Sequence, residues 1–426
     1  MSTVIPRAYR LGRLPFTLSG RGACVDALHA ELAPLLEADA ELDSRSTPKA
    51  SSHAPLVAFE FVDVLPPLSG FTASRPVSVL DDSIRVAFRG LEYHVSRDPG
   101  RAGDRPSSRT PTRVPVVREV DHPRIAPGAL RVALLQSYRG RRGRFAVALQ
   151  RARDPGFLSI DEKCARGFIY DVFDYVAQLA QLPLGQSFIH AGVVERDGEG
   201  TAIVAWGGVG KTSALLQLIT RYGFRYLSDD VALVDDSGML SRTPKLIQLK
   251  GINVSGDPQL RSMLLDGRSR LDRFSWAQRR WRHGPSGVRR RVSAEQLFGE
   301  SAVARRAPLR RVYALERADV ADFSASEITT AELSRRAAAV VMDVMGPFTF
   351  LSQAVQSGSR TPVLPTYGQV LDETTAILAR AFRSVPVVNI RIPLVARPAE
   401  LAACLAELIG EDAGSGRASR LASHRR

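Results

Sequence analysis

The chain has 426 residues, 44% of them hydrophobic and 24% charged, with a formal net charge of +14. Those proportions belong to an ordinary globular protein and exclude wholesale disorder, collagen-like repeats and coiled coils. No apolar run reaches the ~18–20 residues of a membrane span, Met1–Phe16 has three arginines but no signal-peptide core, and Cys24, Cys164 and Cys404 are too scattered for a disulfide framework or zinc site.

A reducing cytoplasm, without membrane partners, is the expected compartment. Of 58 basic residues only five are lysines: Lys49, Lys163, Lys211, Lys245 and Lys250. So strong an arginine bias, beside so much alanine, reads as a GC-rich genome. It weakens the case for nucleic acid that the positive charge would otherwise make.

The first ~150 residues read as a small α+β domain. Leu28, Leu32, Leu35 and Leu36 mark a helix over Cys24–Glu37, which Pro34 is expected to kink or end. Val57–Val64 is β-rich. Alternation over Ile84–Phe88 and Leu91–Val95 predicts adjoining strands, with a bend or bulge at Arg89-Gly90. Arg97–Pro115 reads as a loop. Arg131–Gln136 and Arg144–Gln150 read as two more strands. A capping box at Ser159–Glu162 opens a helix whose face is Phe168, Val172, Tyr175, Val176 and Leu179, ended by Pro183 and Gly185.

From Ser187 strands and helices alternate. Strands are expected at Phe188–Val194 and Thr201–Ala205, around an Asp197-Gly198 turn. A helix over Thr212–Tyr222 stops at Gly223, and a strand interrupted by acids covers Tyr226–Val234. Strand Val312–Leu315, helix Thr330–Met345, strand Val385–Ile392 and helix Ala399–Leu408 complete an α/β domain. The predicted division is 1–155, 156–410 and a disordered tail at 411–426.

The most informative segment is Ala205-Trp206-Gly207-Gly208-Val209-Gly210-Lys211-Thr212. It matches the G-x-x-x-x-G-K-[ST] phosphate loop, with Ala205 for the first glycine. Glycines let backbone N–H groups converge on phosphate oxygens, and the following helix adds the positive end of its dipole. Gly207, Gly208, Val209, Gly210, Lys211, Thr212 and Ser213 are the candidate nucleotide-binding residues. Lys211 would reach the β- and γ-phosphates and Thr212 would ligate Mg²⁺. A glycine-rich turn with an incidental lysine is the plain alternative. Spacing, strand and helix together speak against it, as does the use of a lysine where this chain prefers arginine. Asp229-Asp230 follows only 18 and 19 residues after Lys211. If the strands are neighbours, one carboxylate can hold Mg²⁺ and the other accept a proton from an attacking hydroxyl. His190, on the strand before the loop, is the third candidate, although a strand histidine is more often a packed residue.

Ile189-His190-Ala191-Gly192-Val193, then Gly207–Thr212, then Arg221–Asp230 resembles the HPr kinase/phosphorylase family and related kinases of natural-product clusters such as lasso-peptide pathways. The resemblance covers about 60 residues well. It implies a P-loop kinase domain related to nucleotide-dependent phosphoenolpyruvate carboxykinases, using ATP and Mg²⁺ to phosphorylate a hydroxyl, often a serine of a protein or peptide. It implies Asp229 as general base, Asp230 with Thr212 as metal partners, Lys211 as phosphate ligand and His190 as a phosphate-site residue. Two departures stand out: Ala205 for glycine, and one extra residue between Lys211 and the aspartates. No counterpart of the phosphorylase signature is evident.

Between Leu260 and Arg311 there are 14 arginines against four acids, with Phe274, Trp276 and Trp281 interleaved. Arg289-Arg290-Arg291 is expected nearest the site, gathering triphosphate or an acidic acceptor. A solvated basic insertion is the plain alternative. The expected whole is a P-loop kinase domain behind a small α+β domain, acting on a protein or peptide, with a homo-oligomer allowed. The rivals are a non-catalytic ATP-dependent switch and a nucleic-acid-binding NTPase.

Overall fold

A computed structural model describes residues 6–42, 57–62, 77–79, 83–88, 91–97, 130–135, 165–255, 257–266, 268–346 and 364–411. The expected strand at Arg144–Gln150, the loop beyond Arg97, the Ser159–Glu162 capping box and the tail beyond Glu411 lie outside them. The chain divides into two compact units: residues 1–140, 161–184 and 346–370, and residues 141–160, 185–345 and 371–426.

The first unit is a seven-stranded mixed sheet: β1 (Arg7–Leu11), β2 (Leu14–Ser19), β3 (Val57–Val62), β4 (Val77–Val79), β5 (Ser83–Phe88), β6 (Leu91–Arg97) and β7 (Leu130–Leu135), in the order β1-β2-β3-β7-β6-β5-β4. Helix α1 (Ala23–Leu42) buries Val25, Leu28, Leu32 and Leu35. It continues through Pro34, where an end or kink is expected; a proline forfeits one N–H bond, which the buried leucine stripe offsets. Arg89-Gly90, where a bend or bulge is expected, lies outside the described residues. β5 and β6 are antiparallel with Phe88 opposite Leu91, which makes them a hairpin. A π-helical turn at Ile169–Phe173 leads into α2 (Asp174–Gln181), with all five expected apolar residues buried. These residues group with the N-terminal sheet because Phe168 and Phe173 interlock with Phe59 and Phe16, with centroids 5.2 Å apart in each pair.

The second unit carries β8 (Gln186–Ile189), β9 (Ala191–Arg196), β10 (Glu199–Ala205), α3 (Lys211–Tyr222), β11 (Arg225–Ser228), β12 (Ala232–Asp235), β13 (Met239–Ser241), β14 (Ile247–Lys250), α4 (Pro258–Leu265), α5 (Arg270–His283), β15 (Arg289–Val292), α6 (Ala294–Phe298), β16 (Arg306–Ala318), β17 (Ser324–Glu327), α7 (Thr330–Val344), α8 (Tyr367–Ala381), β18 (Val387–Pro393) and α9 (Pro398–Glu411). Its organiser is β16, much longer than the expected Val312–Leu315. The first residues of β16 pair with β13, and the rest run parallel between β10 and β18.

Period-2 alternation sets the layers. Ile203, Ala205, Tyr313 and Leu315 face α3 and α9 through Leu215, Leu218, Leu401 and Leu405. Ala202, Val204, Val312 and Ala314 face the opposite layer, with Leu333 and Ala337 of α7, Leu378 of α8 and Phe382 just beyond it. This is a mixed α/β architecture with a sheet covered on both faces.

Two chain breaks position the site. The single strand expected over Phe188–Val194 is two strands. β8 pairs with β12, then after His190 the chain joins β10 as β9. The strand expected over Tyr226–Val234 likewise divides into β11, paired with β9, and β12. The two segments pair with each other at both ends, while on their outer edges β9 takes β10 and β12 takes β13. The ladder between them holds at Ile189↔Ala232 and at Val193↔Ser228 and is interrupted in between. His190 and Asp229-Asp230 occupy that interruption.

Candidate functional site

β10 delivers the chain into the loop Trp206–Gly210, and α3 begins at Lys211. Gly208 (φ +86°) and Gly210 (φ +107°) adopt left-handed conformations that a side chain would oppose. Among the described residues nothing lies within 4 Å of where a Cβ would stand on Gly207 or Gly208, so on that side the loop faces open space. α3 closes at Gly223 (φ +72°), as its sequence predicts, with the N–H groups of Gly223 and Phe224 directed to the Leu218 carbonyl.

Lys211 is buried, and its Nζ lies 3.4 Å from the Ala205 carbonyl oxygen. A Cβ on Gly192 of β9 would come within 3.2 Å of Lys211 Cγ, so this glycine gives the lysine stem its room. Burial lowers the Lys211 pKa to about 8, against the attraction of Asp229 and Asp230. Thr212 Oγ1 donates to Asp229 Oδ1 at 3.2 Å. Burial and the adjacent Asp230 charge raise the Asp229 pKa to about 6, although Lys211 and Thr212 pull the other way. β10 and β11 are not neighbours, since β9 lies between them. The aspartates still meet the start of α3 because the turn beyond β11 carries them there.

That turn is tight. Val231 N–H bonds to the Asp229 carbonyl at 2.9 Å, which leaves Asp230 as the central residue at φ +73°. This is the rarer, strained hand of a γ-turn for a non-glycine residue. The Ser228 and Thr243 hydroxyls both donate to the Val231 carbonyl, at 2.6 and 2.8 Å, and hold the turn. Asp230 is half-exposed. Its two oxygens lie 3.5 Å from His190 Nδ1 and 3.6 Å from Lys245 Nζ. Burial, then Lys211, lowers the His190 pKa to about 4, so at pH 7 its imidazole is neutral. It can exchange a hydrogen bond with a ligand but brings no charge.

The structure thus brings His190, Lys211, Thr212, Asp229 and Asp230 into one neighbourhood. Ser213 faces inward, and its hydroxyl accepts a 2.8 Å bond from Asn253 Nδ2. Two residues had escaped the sequence reading. Lys245 carried the signal used for Lys211, a lysine in an arginine-rich chain. Arg317 carried none. From β16 it donates to the carbonyls of Val209 (3.2 Å), Pro393 (2.9 Å), Leu394 (2.8 Å) and Ala396 (3.2 Å), tying the glycine loop to the segment before α9.

Within the arginine triplet, Arg290 is used differently from expectation. The triplet forms β15, paired with β14. Arg290 makes an ion pair with Asp272 and lies over the Trp276 ring at 5.4 Å from its centroid. Its guanidinium stabilises α5 instead of reaching for a ligand.

No family model matches the chain, and no curated protein matches it. Among solved structures, the HPr(Ser) kinase/phosphatase from Coxiella burnetii is a weak neighbour: 13% identity, 54% of this chain and 99% of that one covered, TM-score 0.26.

Proposed function

We propose that the second unit is an ATP- and Mg²⁺-dependent phosphotransferase that moves the γ-phosphoryl group to a hydroxyl, on a protein or peptide. The observation that carries this reading is the bond from Thr212 to Asp229, because it joins the first turn after a glycine loop to a buried carboxylate beside a second one. The residues suit the groups they would hold. The loop is open, its glycines have the required backbone, and Thr212 and Asp230 are hard oxygen donors. Among the described residues no set of three or more His, Cys, Asp or Glu forms a metal cage. That agrees with Mg²⁺, which takes one or two protein carboxylates and completes its shell with waters and phosphate oxygens. When bound, Mg²⁺ would neutralise charge on the transferring phosphoryl group.

The roles follow from environment. Asp229, raised to about 6, is ionised at neutral pH yet basic enough to take a hydroxyl proton. Lys211 offers its ammonium to phosphate oxygens, and the loop N–H groups orient them. Neutral His190 positions an oxygen by hydrogen bonding. Lys245 holds the Asp230 oxygen that His190 does not contact. A second reading exchanges the aspartates: the Thr212–Asp229 bond equally suits Asp229 as metal partner, with Asp230 as base.

The first test is Lys211→Ala. Turnover of ATP should fall by about 10³-fold or ATP binding be lost, since a cation on the β/γ-phosphates is removed. Near-normal turnover in that variant would falsify the phosphate-loop reading.

A further inference from the structure

The basic insertion holds a cavity that the phosphotransferase reading does not use. Leu260 and Leu264 hold α4 to the core, and Trp276 holds α5, all three buried. On another side α5 turns the ridge of Leu271, Phe274 and Trp281 to solvent. Residues of both helices line one cavity of about 410 Å³. From α4 come Arg261, Ser262 and Leu265, which share about 100° of arc. From α5 come Arg273 and Arg280, about 20° apart and within about 60° of Trp276. The cavity therefore lies towards the anchored side of α5, and two fixed helices present its arginines.

The charges in it do not balance. Asp257 caps α4 by accepting the Leu260 N–H bond at 3.1 Å, and it is paired with Arg221 at 2.9 Å. That leaves Asp266 against three guanidinium groups. Arg280 donates to Ser255 Oγ at 3.3 Å. Among the described residues the guanidinium groups of Arg261 and Arg273 have no hydrogen-bond or ion-pair partner. The wall formed by Val254 and Asp257 is fixed to α3, by the Asn253 bond to Ser213 at 2.8 Å and by the Asp257–Arg221 pair. The arginines thus stand around a preformed space.

We infer that this cavity binds a phosphate monoester, at a site that shares no residue with the glycine loop. One guanidinium answers a carboxylate. Three against one acid call for an oxyanion with two charges and oxygens directed several ways, which a phosphate monoester supplies and guanidinium forks match. Ser262 adds a hydroxyl donor, and Leu265 offers apolar surface to the carbon skeleton that carries the phosphate. A nucleic-acid backbone fits less well, because its diesters carry one charge each and lie along an extended surface. The phosphate can be borne by a side chain or by a small molecule, since both present the same group. The inference stands whether or not the second unit transfers phosphate.

The test is calorimetric titration of the full chain with inorganic phosphate, in the wild type and in Lys211→Ala. Lys211→Ala should keep this binding. Arg261→Gln combined with Arg273→Gln should weaken it at least ~10-fold. Asp266→Asn should strengthen it about threefold, a gain that misfolding cannot produce. All three positions are exposed, and unchanged circular dichroism would confirm intact folding. Glycerol 3-phosphate and a phosphoserine peptide, each beside its unphosphorylated form, distinguish the two sources: the ester that binds more tightly names the carrier. Loss of binding in Lys211→Ala but not in the arginine pair would put the phosphate in the glycine loop and overturn the inference. So would weaker binding by Asp266→Asn, no preference for either ester over its unphosphorylated form, or tighter binding of generic RNA or DNA than of both esters.

Discussion

Asp229→Asn separates chemistry from architecture. The asparagine has the shape of the aspartate, and its Oδ1 can still accept the Thr212 hydroxyl bond. What disappears is the negative charge. In the fold that charge is disfavoured: the pKa rises from 3.8 to about 6, chiefly through burial. A shift of roughly two units corresponds to about 3 kcal/mol against the ionised form. The penalty is complete above about pH 6 and absent below the unfolded value of 3.8, because there both states hold the proton. Asn pays no such penalty at any pH. The variant should therefore be more stable than the wild type at pH 8, by up to about 3 kcal/mol, and equal to it only near pH 3, about one unit below the unfolded value. Phosphoryl transfer should fall by ~10²–10⁴-fold for want of a base, with ATP affinity nearly unchanged. Denaturant unfolding at the two pH values, with turnover and fluorescent-nucleotide binding at pH 8, measures all three. A variant less stable at pH 8 would refute the burial argument. ATP–Mg²⁺ affinity falling as far as turnover would move Asp229 to the metal and make Asp230 the base.

The pH profile of kcat/KM should be bell-shaped. The acid limb lies near 6, where Asp229 beside Asp230 gains its proton, and the alkaline limb near 8, where Lys211 loses its own; an Asp229→Asn residual activity that keeps the acid limb would contradict this assignment. Arg290→Ala should cost ~2–4 kcal/mol in denaturant unfolding because it leaves Asp272 unpaired and uncovers Trp276, while the exposed Arg289→Ala should stay within ~0.5 kcal/mol; equal effects would show that the ion pair is not the cause. Arg317→Ala should raise the Kd for ATP by about tenfold, the weight of one charge-assisted hydrogen bond to the loop; unchanged affinity would show that Val209 needs no tie.

What the sequence by itself determined is local. The strand–glycine loop–α3 unit, the stop at Gly223 and the Asp197-Gly198 hairpin turn all rest on chemistry within a few residues. Glycine tolerates positive φ, Asp197 takes φ +53° beside Gly198 at φ +82°, and apolar spacing distinguishes helix from strand. The candidate cluster was legible for the same reason, since its members lie in three short segments with recognisable residue types. What only the tertiary structure decided depends on which strands pair. Phe188–Val194 and Tyr226–Val234 each look like one continuous strand because sheet-favouring residues stand on both sides of the break, Phe188, Ile189, Val193 and Val194 in the first and Tyr226, Val231 and Val234 in the second. They divide because, although the two pair with each other at both ends, their outer edges go to different strands, β9 to β10 and β12 to β13. That division turns His190, Asp229 and Asp230 out of the ladder and towards Lys211. Lys245 and Arg317 arrive from far along the chain. The use of Arg290 as a cover for Trp276, and the outward ridge of α5, depend on which helix face finds a core, and hydrophobic burial settles that only once the whole unit has folded.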